Sequence, residues 1–366
     1  MKKKHVVVSV TNHLVADQRV HRTCTTLHSM GFKVTLVGRK WPSDFLLQPR
    51  SYTTKRFLLP INKGFLFYAF YNIRLFFYLL FTNADVLLSN DLDTLPANFL
   101  VSRIKRIPLV YDSHEYFTEV PELMNRPGVK RCWEKIESLI LPRIINAFTV
   151  SDSIAEAYKR KYNIAFEVIR NVPEYVQNII PEVIYDENII LYQGALNVGR
   201  GLEKLIEAMY FVENATLQII GDGDITNELK ELVVKKKLNH KVVFIGKVSF
   251  ENLRDYTRKA TIGVSLEEDM GLNYRFALPN KLFDYIHAGL PVLVSPLPEM
   301  KKMVEQYNIG IVLSKHTETE IASALNQMLS HKKELNQWKA NAKAAAQNLC
   351  WQKEEIKLKT IFATFV

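Results

Sequence analysis

The chain is poor in cysteine and lacks a glycine-rich phosphate motif. Its 366 residues contain three cysteines, Cys24, Cys132 and Cys350, whose number and spacing fit neither a disulfide framework nor a zinc site. We therefore expect three ordinary buried thiols and a reducing, cytoplasmic environment. The loop after the first predicted strand has no GxGxxG pattern, which argues against a nicotinamide or flavin dehydrogenase.

The chain also lacks the run of about 20 apolar residues that a membrane-spanning helix needs. Its longest apolar region, residues 64–81, is interrupted by Asn72 and Arg74. This region is interpreted as a helix that lies in a core or on a bilayer surface, and burial is favoured, most clearly for residues 75–81. The basic N-terminus has no signal-peptide cleavage pattern and is interpreted as the first strand.

The composition is that of a folded protein with a basic surface. Hydrophobic residues make up 48% of the chain and charged residues 23%. The length suits two domains rather than one core. The net charge of +10 favours anionic partners, namely nucleotides, phospholipid head groups or nucleic acid. Because no nucleic-acid-binding module is recognisable, we do not expect a nucleic-acid partner.

Strands and helices are predicted to alternate in both halves, a pattern typical of parallel α/β sheets. The first half has predicted strands at residues 6–10, 33–37, 85–89, 109–112, 147–150 and 167–169. The second half has them at residues 188–192, 217–220, 242–246, 262–266, 292–294 and 311–313. We expect an N-terminal domain at residues 1–174, a hinge at 175–187, a second domain at 188–349 and a closing helix at 350–366.

Residues 266–294 contain the most informative pattern: a polar loop, a helix start, a glycine stop and a buried strand. Asn280 and Lys281 occupy the first helical turn, where free N–H groups and a cationic side chain suit a phosphate. Asp284 follows one turn later, where a carboxylate can accept hydrogen bonds from ribose hydroxyls. Phosphate and ribose together indicate a nucleotide. The alternative is a solvated lysine and a surface carboxylate.

Polar side chains also follow two predicted strands of the first half. Asn90 and Asp91 follow one strand, and His114 and Glu115 follow the next. Clefts in parallel sheets form at the carboxyl ends of strands, so we favour a functional over a structural role for this histidine. Asp91 and Asp93 have the spacing of a metal carboxylate pair. They follow a strand of the first half, away from the predicted phosphate site, so no metal site is expected.

The run PNKLFDYIHAGLPV resembles the nucleotide-sugar site of family 4 glycosyltransferases, which are retaining enzymes of the GT-B fold, and in particular of the bacterial cell-surface polysaccharide type. The resemblance covers essentially the whole chain and is strongest over residues 191–294. It implies an α/β fold of two Rossmann-like domains facing across a cleft, with the C-terminal helix crossing back to the first domain. It also implies retaining, hexosyl-type transfer to a hydroxyl of a glycan or polyprenyl-linked glycan.

The resemblance implies a UDP-sugar or GDP-sugar as the donor substrate, with no metal or other cofactor. Arg200 and Lys281 are expected to hold the diphosphate and stabilise its charge as it leaves. The remaining donor contacts are expected from Asn280, Asp284 and main-chain groups at Val248 for the nucleotide, and from His114 for the sugar. Residues expected on the acceptor or sugar side are Arg19, Glu115, Glu268 and Asn273. A surface role is the alternative for Arg19.

Two motif positions depart from the family pattern. Phe276 stands where the family has its first glutamate, and Ala195 where it has an arginine. The candidates to replace the missing glutamate are Glu267, Glu268 and Asp269. The departures keep a non-catalytic GT-B subunit or scaffold open as an alternative, and a GT-B nucleotide-sugar epimerase shares the fold and ligand. The expected location is the cytoplasm, with an anionic membrane surface at the inner face of the cell membrane as a candidate partner.

Overall fold

The computed structural model describes residues 3–15, 17–41, 47–177 and 187–366. The chain forms two compact units, one of Met1–Asn171 with Lys353–Val366 and the other of Val172–Gln352. Residues 178–186 of the predicted hinge lie outside the described residues.

The first unit is built on seven strands. They are β1 (His5–Ser9), β2 (Lys33–Lys40), β3 (Thr53–Leu58), β4 (Val86–Asn90), β5 (Leu109–Ser113), β6 (Asn146–Thr149) and β7 (Glu167–Val168). They pair in parallel in the order β3-β2-β1-β4-β5-β6-β7. Every residue of β1, β4 and β5 is buried, as expected for central strands covered on both faces. Strand β3 was not predicted from the sequence; it is an edge strand whose residues, apart from Phe57, are exposed or half-buried.

Helices flank this sheet between successive strands. They are α1 (Gln18–Ser29), α2 (Gly64–Phe81), α3 (Leu95–Lys105), α4 (Pro121–Met124), α5 (Pro127–Ile140) and α6 (Asp152–Tyr162), with single 3-10 turns at Phe117–Glu119 and Leu141–Arg143. Side-chain caps start two of them. Asp17 accepts a hydrogen bond from the N–H of Val20 at α1, and Ser151 accepts one from Ile154 at α6.

Helix α2 differs from the prediction in its burial. Within the described residues, it is the helix whose length and apolar composition would allow it to cross a membrane. It joins β3 to β4 of one sheet and buries one stripe that includes Phe67 and Tyr71. The expectation that residues 75–81 are buried is wrong for Phe77 and Phe81, which are 53% and 83% exposed. Because the helix is apolar on most sides, its composition does not reveal which side faces the sheet.

The second unit is built on six strands. They are β8 (Asn188–Gln193), β9 (Ala215–Ile220), β10 (Val242–Gly246), β11 (Ile262–Ser265), β12 (Val292–Val294) and β13 (Gly310–Val312). They pair in parallel in the order β10-β9-β8-β11-β12-β13. The predicted α/β alternation is therefore confirmed in both units.

The helices of the second unit follow the same alternation. They are α7 (Leu202–Ala208), α8 (Thr226–Lys235), α9 (Phe250–Lys259), α10 (Leu272–Arg275), α11 (Asn280–His287), α12 (Pro298–Tyr307), α13 (Glu318–Ser330) and α14 (Lys332–Asn348). Two of these helices were not located from the sequence: α10, which lies within the predicted polar loop, and α12. Pro298 in the first turn of α12 is a helix-start signal that could have revealed that helix.

The last helix, α15 (Trp351–Ala363), corresponds to the predicted closing helix at residues 350–366. From Lys353 onward it belongs to the first unit. There Phe362 is fully buried and its ring lies edge-on to that of Phe32 at 6.2 Å, while Glu354 pairs with Arg170 at 3.3 Å.

The three cysteines differ in environment. Cys24 and Cys350 are buried thiols, whereas Cys132 on α5 is exposed, so the prediction of a buried thiol is wrong there. The buried side of α5 carries Trp133, Glu137 and Ile140, and Cys132 does not lie on that side.

Candidate functional site

Each sheet has one position at which the chain reverses its direction across the strand order. These positions lie between β1 and β4 in the first unit and between β8 and β11 in the second. Binding crevices in parallel sheets form outside the carboxyl ends of the strands at such positions. Most of the residues singled out in the sequence follow these strands or their neighbours. The candidate sites are therefore at the carboxyl ends of the central strands, which we call the edge of each sheet.

Lys281 lies at the edge of the second sheet, in the first turn of α11. Its ammonium Nζ is 2.9 Å from Oε1 of Glu267 and 4.0 Å from the centre of the Tyr192 ring. The side chain is 8% exposed. The interpretation of Lys281 as a solvated helix-start lysine is therefore wrong.

Glu267 follows β11, and its carboxylate is bound by three other side chains at this edge of the sheet. It is fully buried, and its Oε1 accepts hydrogen bonds from Lys281 and from Nη1 of Arg200 at 3.4 Å. Its Oε2 accepts a hydrogen bond from Ser265 at 2.7 Å. Burial alone would raise the pKa of Glu267, but the charges of Lys281 and Arg200 outweigh it and hold the pKa below its ordinary value. The cluster thus contains two cations and one buried anion.

A glycine allows Arg200 to reach this cluster. Gly201, directly before α7, adopts a left-handed backbone conformation with φ of +69°. A Cβ at this position would lie 2.2 Å from the carbonyl oxygen of Leu266. The loop that carries Arg200 can therefore approach the loop that carries Glu267 only because residue 201 has no side chain.

Asp284, one turn along α11, is held by a second polar chain. Its Oδ2 accepts a hydrogen bond from Nε2 of Gln193 at 2.9 Å, and Oε1 of Gln193 accepts one from Thr257 at 2.8 Å. Asp284 and Gln193 also line a pocket within the second unit, whose other walls come from α9, α11 and residues 173–176. This half-buried carboxylate is therefore oriented, and the simple surface interpretation does not describe it.

The structure separates the three candidates for the missing carboxylate. Glu267 pairs with Lys281 and Arg200, whereas Glu268 pairs with Lys204 at 2.8 Å and Asp269 pairs with Arg275 at 2.7 Å.

The other residues predicted at this edge of the sheet occupy loop or helix-end positions. Asn280 is exposed in the first turn of α11, whereas Asn273 and Phe276 at α10 and Val248 after β10 are half-buried.

His114 lies at the edge of the first sheet, directly after β5. Its ring Nε2 is 3.0 Å from Oδ2 of Asp112, and its Nδ1 is 3.4 Å from Oδ2 of Asp91. Its backbone N–H donates to Oδ1 of Asp91 at 2.8 Å. Burial alone would lower the pKa of His114, but the two carboxylates outweigh it and raise the pKa to about 10. The ring is therefore an imidazolium at neutral pH.

Arg19 does not lie where the sequence predicted it, whereas Glu115 follows β5 as predicted. Arg19 is 2% exposed in the first turn of α1, and two of its nitrogens donate to Asp112 at 2.7 and 3.0 Å. A third donates to the carbonyl of Ile169 at 2.7 Å. Arg19 is thus neither a surface arginine nor a group open to a substrate; it holds Asp112. Glu115 is half-buried, and its carbonyl accepts a hydrogen bond from Ser113.

Asp93 adds an unusual carboxyl group near His114. Its Oδ2 accepts a hydrogen bond from Thr11 at 2.5 Å. Burial, followed by the nearby charge of Asp91, raises the pKa of Asp93 to about 8, so this group is mostly protonated at neutral pH. In the part of the chain that the structure describes, no group of three or more His, Cys, Asp or Glu side chains is arranged to hold a metal ion.

The two halves of the chain match two families. Residues 16–175 match the family described as Glycosyltransferase Family 4, and residues 178–345 match Glycosyl transferases group 1. The chain belongs to the glycosyltransferases. An uncharacterized glycosyltransferase of Methanocaldococcus jannaschii is 31% identical over 150 residues, which are 40% of this chain and 36% of the relative. The chain thus matches about a third of that relative's length.

Solved structures establish which fold this glycosyltransferase has. Sucrose-phosphate synthase from Thermosynechococcus elongatus superposes with a TM-score of 0.81 at 18% identity, over 99% of both chains. Anabaena HepE in complex with UDP-glucose superposes with a TM-score of 0.75 at 14% identity, over 97% of this chain and 99% of that one. The glycosyltransferase therefore has the GT-B fold, and the predicted fold class is confirmed.

The charge of His114 has a measurable pH dependence. Because its folded pKa of about 10 exceeds the unfolded value near 6.5, its ion pairs stabilise the fold fully below about pH 6.5. This contribution decreases as the pH rises towards 10 and is lost above it. We expect the melting temperature of the wild type to fall more between pH 7 and 10 than that of His114→Gln. An NMR titration that places the His114 pKa near 6.5 would contradict the ion pairing.

Removing the buried carboxylate should destabilise the second unit. Glu267→Gln leaves Lys281 and Arg200 without their shared anion, so we expect a loss of about 3–5 kcal/mol in the free energy of unfolding. Glu268→Gln is the matched control, because its surface ion pair with Lys204 contributes at most about 1 kcal/mol. Chemical denaturation measures both, and equal losses in the two variants would show that Glu267 does not organise the edge.

Proposed function

We propose that this glycosyltransferase moves a hexosyl group, with retention of configuration, from a nucleoside-diphosphate sugar to a hydroxyl of a glycan or lipid-linked glycan. The observation that carries the proposal is the convergence of Lys281 and Arg200 beside the N-terminus of α11. This arrangement gives the edge of the second sheet an excess of positive charge, which a diphosphate would neutralise.

The proposed catalytic contribution of the second unit is stabilisation of the leaving nucleoside diphosphate. Negative charge develops on the diphosphate as the glycosidic bond breaks, so cations fixed in advance lower the barrier. Glu267 fixes both Lys281 and Arg200 by sharing one carboxylate between them. Because these cations and the helix N–H groups supply positive charge, the proposal needs no metal and no further cofactor.

The proposed nucleotide contacts lie next to the cations. Asp284 would accept hydrogen bonds from the ribose hydroxyls, and Gln193 orients its carboxylate for that contact. Asn280 in the first turn of α11 and main-chain groups at Val248 are proposed to contact the rest of the nucleotide. A UDP-sugar or a GDP-sugar fits these groups; the UDP-glucose in the similar Anabaena HepE structure supports the first.

The first unit is proposed to supply His114 for the donor sugar. The imidazolium is held between Asp91 and Asp112, so it acts as a fixed charged group rather than as an acid or base that exchanges its proton. His114 is therefore a poor candidate for the acid or base of the epimerase alternative, because abstraction of a sugar proton requires a group with a pKa near the working pH. The paired cations at Glu267 disfavour a scaffold without a donor site.

The proposal has to account for the two positions, Phe276 and Ala195, that depart from the family pattern. Glu267 does not replace the glutamate missing at Phe276 in contacting the sugar, because its two oxygens already bind Lys281, Arg200 and Ser265. Contacts to the sugar are assigned instead to the neighbouring loop with Glu268 and Asn273. The arginine missing at Ala195 leaves Arg200 and Lys281 as the proposed diphosphate pair.

The proposed setting is the synthesis of a bacterial cell-surface polysaccharide at the cytoplasmic side of the membrane. The free thiols of Cys24, Cys132 and Cys350 suit a reducing compartment. A glycan or polyprenyl-linked glycan is the proposed acceptor, and nucleic acid is not proposed as a partner.

A transfer assay tests the proposal. Purified protein is incubated with UDP- and GDP-sugars and a set of glycan and polyprenyl-linked acceptors, and NMR identifies the anomeric configuration of the product. We expect release of nucleoside diphosphate that depends on acceptor, a retained configuration, and a rate at least about 100-fold lower in His114→Ala with unchanged nucleotide affinity, because a fixed charge at the reacting sugar is lost. Conversion of the nucleotide-sugar without acceptor would favour the epimerase, and no nucleotide binding would favour the scaffold.

A further inference from the structure

Helices α2 and α3 lie side by side on one face of the first sheet. The connections from β3 to β4 and from β4 to β5 run in the same direction across the strand order, and right-handed crossovers place both helices on the same face. Asn72 of α2 binds the chain at the start of α3: its side chain donates to the carbonyl of Asp93 at 2.7 Å and accepts from the N–H of Ala97 at 3.2 Å.

The side of this helix pair that faces away from the sheet is apolar. On α2, the stripe towards the sheet is Phe67, Tyr71, Leu75 and Leu79. Large apolar side chains recur every three or four residues on the opposite side of α2 and on α3. We call these seven exposed residues the outer face: Leu66, Phe70, Ile73, Phe77, Phe81, Leu100 and Ile104. Each is at least 43% exposed, and a soluble monomer rarely exposes so many large apolar side chains together.

The two chain segments that carry the outer face contain no acidic residues. Residues 53–84 and 94–111 contain no Asp or Glu. The same segments contain seven basic residues: Lys55, Arg56, Lys63, Arg74, Arg103, Lys105 and Arg106. Arg74 and Lys105 donate to main-chain carbonyls of Leu58 and Leu79 at 2.6 and 3.1 Å, which fixes two of these cations beside α2.

We propose that the outer face docks on an anionic phospholipid bilayer, with α2 and α3 lying in the plane of the membrane. Apolar and aromatic side chains beside lysines and arginines are the composition of helices that bind at such an interface. Helix α2 lies on the bilayer rather than crossing it, because it joins β3 to β4 of the same sheet and its inner stripe is buried against that sheet.

A second copy of the chain fits the outer face less well. In a symmetric dimer the same patch meets itself, so Arg74 and Lys105, which are fixed beside α2, would approach the same cations of the other copy. Like charges across an interface oppose association, whereas anionic head groups neutralise the same cations. The positive charge beside the outer face therefore favours an anionic bilayer over a second copy as the binding partner. The inference rests on the proposed function for its purpose, since a membrane-bound enzyme reaches a lipid-linked acceptor, but docking itself needs no sugar donor.

Co-sedimentation with vesicles tests the docking. Vesicles of phosphatidylcholine alone are compared with vesicles that also contain phosphatidylglycerol. We expect the wild type to bind the anionic vesicles, and to bind less as the salt concentration rises. The double variant Phe70→Ser, Phe77→Ser should bind at least about 10-fold more weakly. The matched control is Tyr210→Ser, Phe211→Ser, which changes two exposed aromatic residues of the second unit and should leave binding unchanged.

Three results would overturn the inference: no binding of the wild type to anionic vesicles, equal loss in the two double variants, or equal binding to neutral and anionic vesicles. Sedimentation equilibrium tests whether a second copy binds instead. If the wild type is a dimer and the double variant Phe70→Ser, Phe77→Ser is a monomer, the outer face is a dimer interface. Nucleotide binding is measured in parallel. Vesicle binding without nucleotide binding would remove the proposed function but not the docking, and the reverse result would remove only the docking.

Discussion

The site of the second unit depends on one buried carboxylate. Glu267 is inaccessible to solvent, and removing a charge from water is costly unless cations and hydrogen-bond donors surround it. Lys281 and Arg200 therefore have to remain close to it. Their positions in turn require the first turn of α11 and the turn at Gly201 to lie next to the end of β11. One electrostatic constraint thus joins three segments that are distant in sequence and leaves two cations at the helix N-terminus.

The first unit uses a similar arrangement with different residues. Asp112 at the end of β5 is fully buried and bridges two cations, Arg19 and His114. Arg19 is buried, with hydrogen bonds to Asp112 and Ile169, whereas the side chain of His114 remains about a fifth exposed. In each unit, a carboxylate at the carboxyl edge of the sheet thus holds a cationic side chain in place. The proposed chemistry uses the charge of these cations rather than a proton that they release.

The sequence predicted those parts of the structure that depend on the hydrophobic pattern and helix-start signals of one short segment. Buried strands such as β1 and β12 are short apolar runs, and Lys281 and Asp284 have helical spacing beside a helix start. The edge strand β3 was missed because its Thr-Thr-Lys-Arg segment carries little hydrophobic signal.

Long-range pairing determines what the sequence could not reveal. Arg19 looked like a loop residue because its partner Asp112 is 93 positions away. The three acidic residues 267–269 were equivalent candidates until the fold placed Glu267 inside the protein and the other two beside Lys204 and Arg275. The exposed side of α2 was likewise hidden, since only packing against the sheet distinguishes one apolar stripe from another.

The central claim is that Lys281 and Arg200 form a diphosphate site. Isothermal titration calorimetry with UDP and UMP, and with GDP and GMP, tests it in the wild type, Lys281→Ala and the control Lys236→Ala, whose surface ion pair with Glu207 lies outside the site. The account predicts that the wild type binds one diphosphate at least about 10-fold more tightly than its monophosphate, because the second phosphate adds charge-assisted hydrogen bonds. Lys281→Ala should lose this preference and Lys236→Ala should keep it. A wild type that binds both forms equally, or a Lys281→Ala variant that still prefers the diphosphate, would contradict the account.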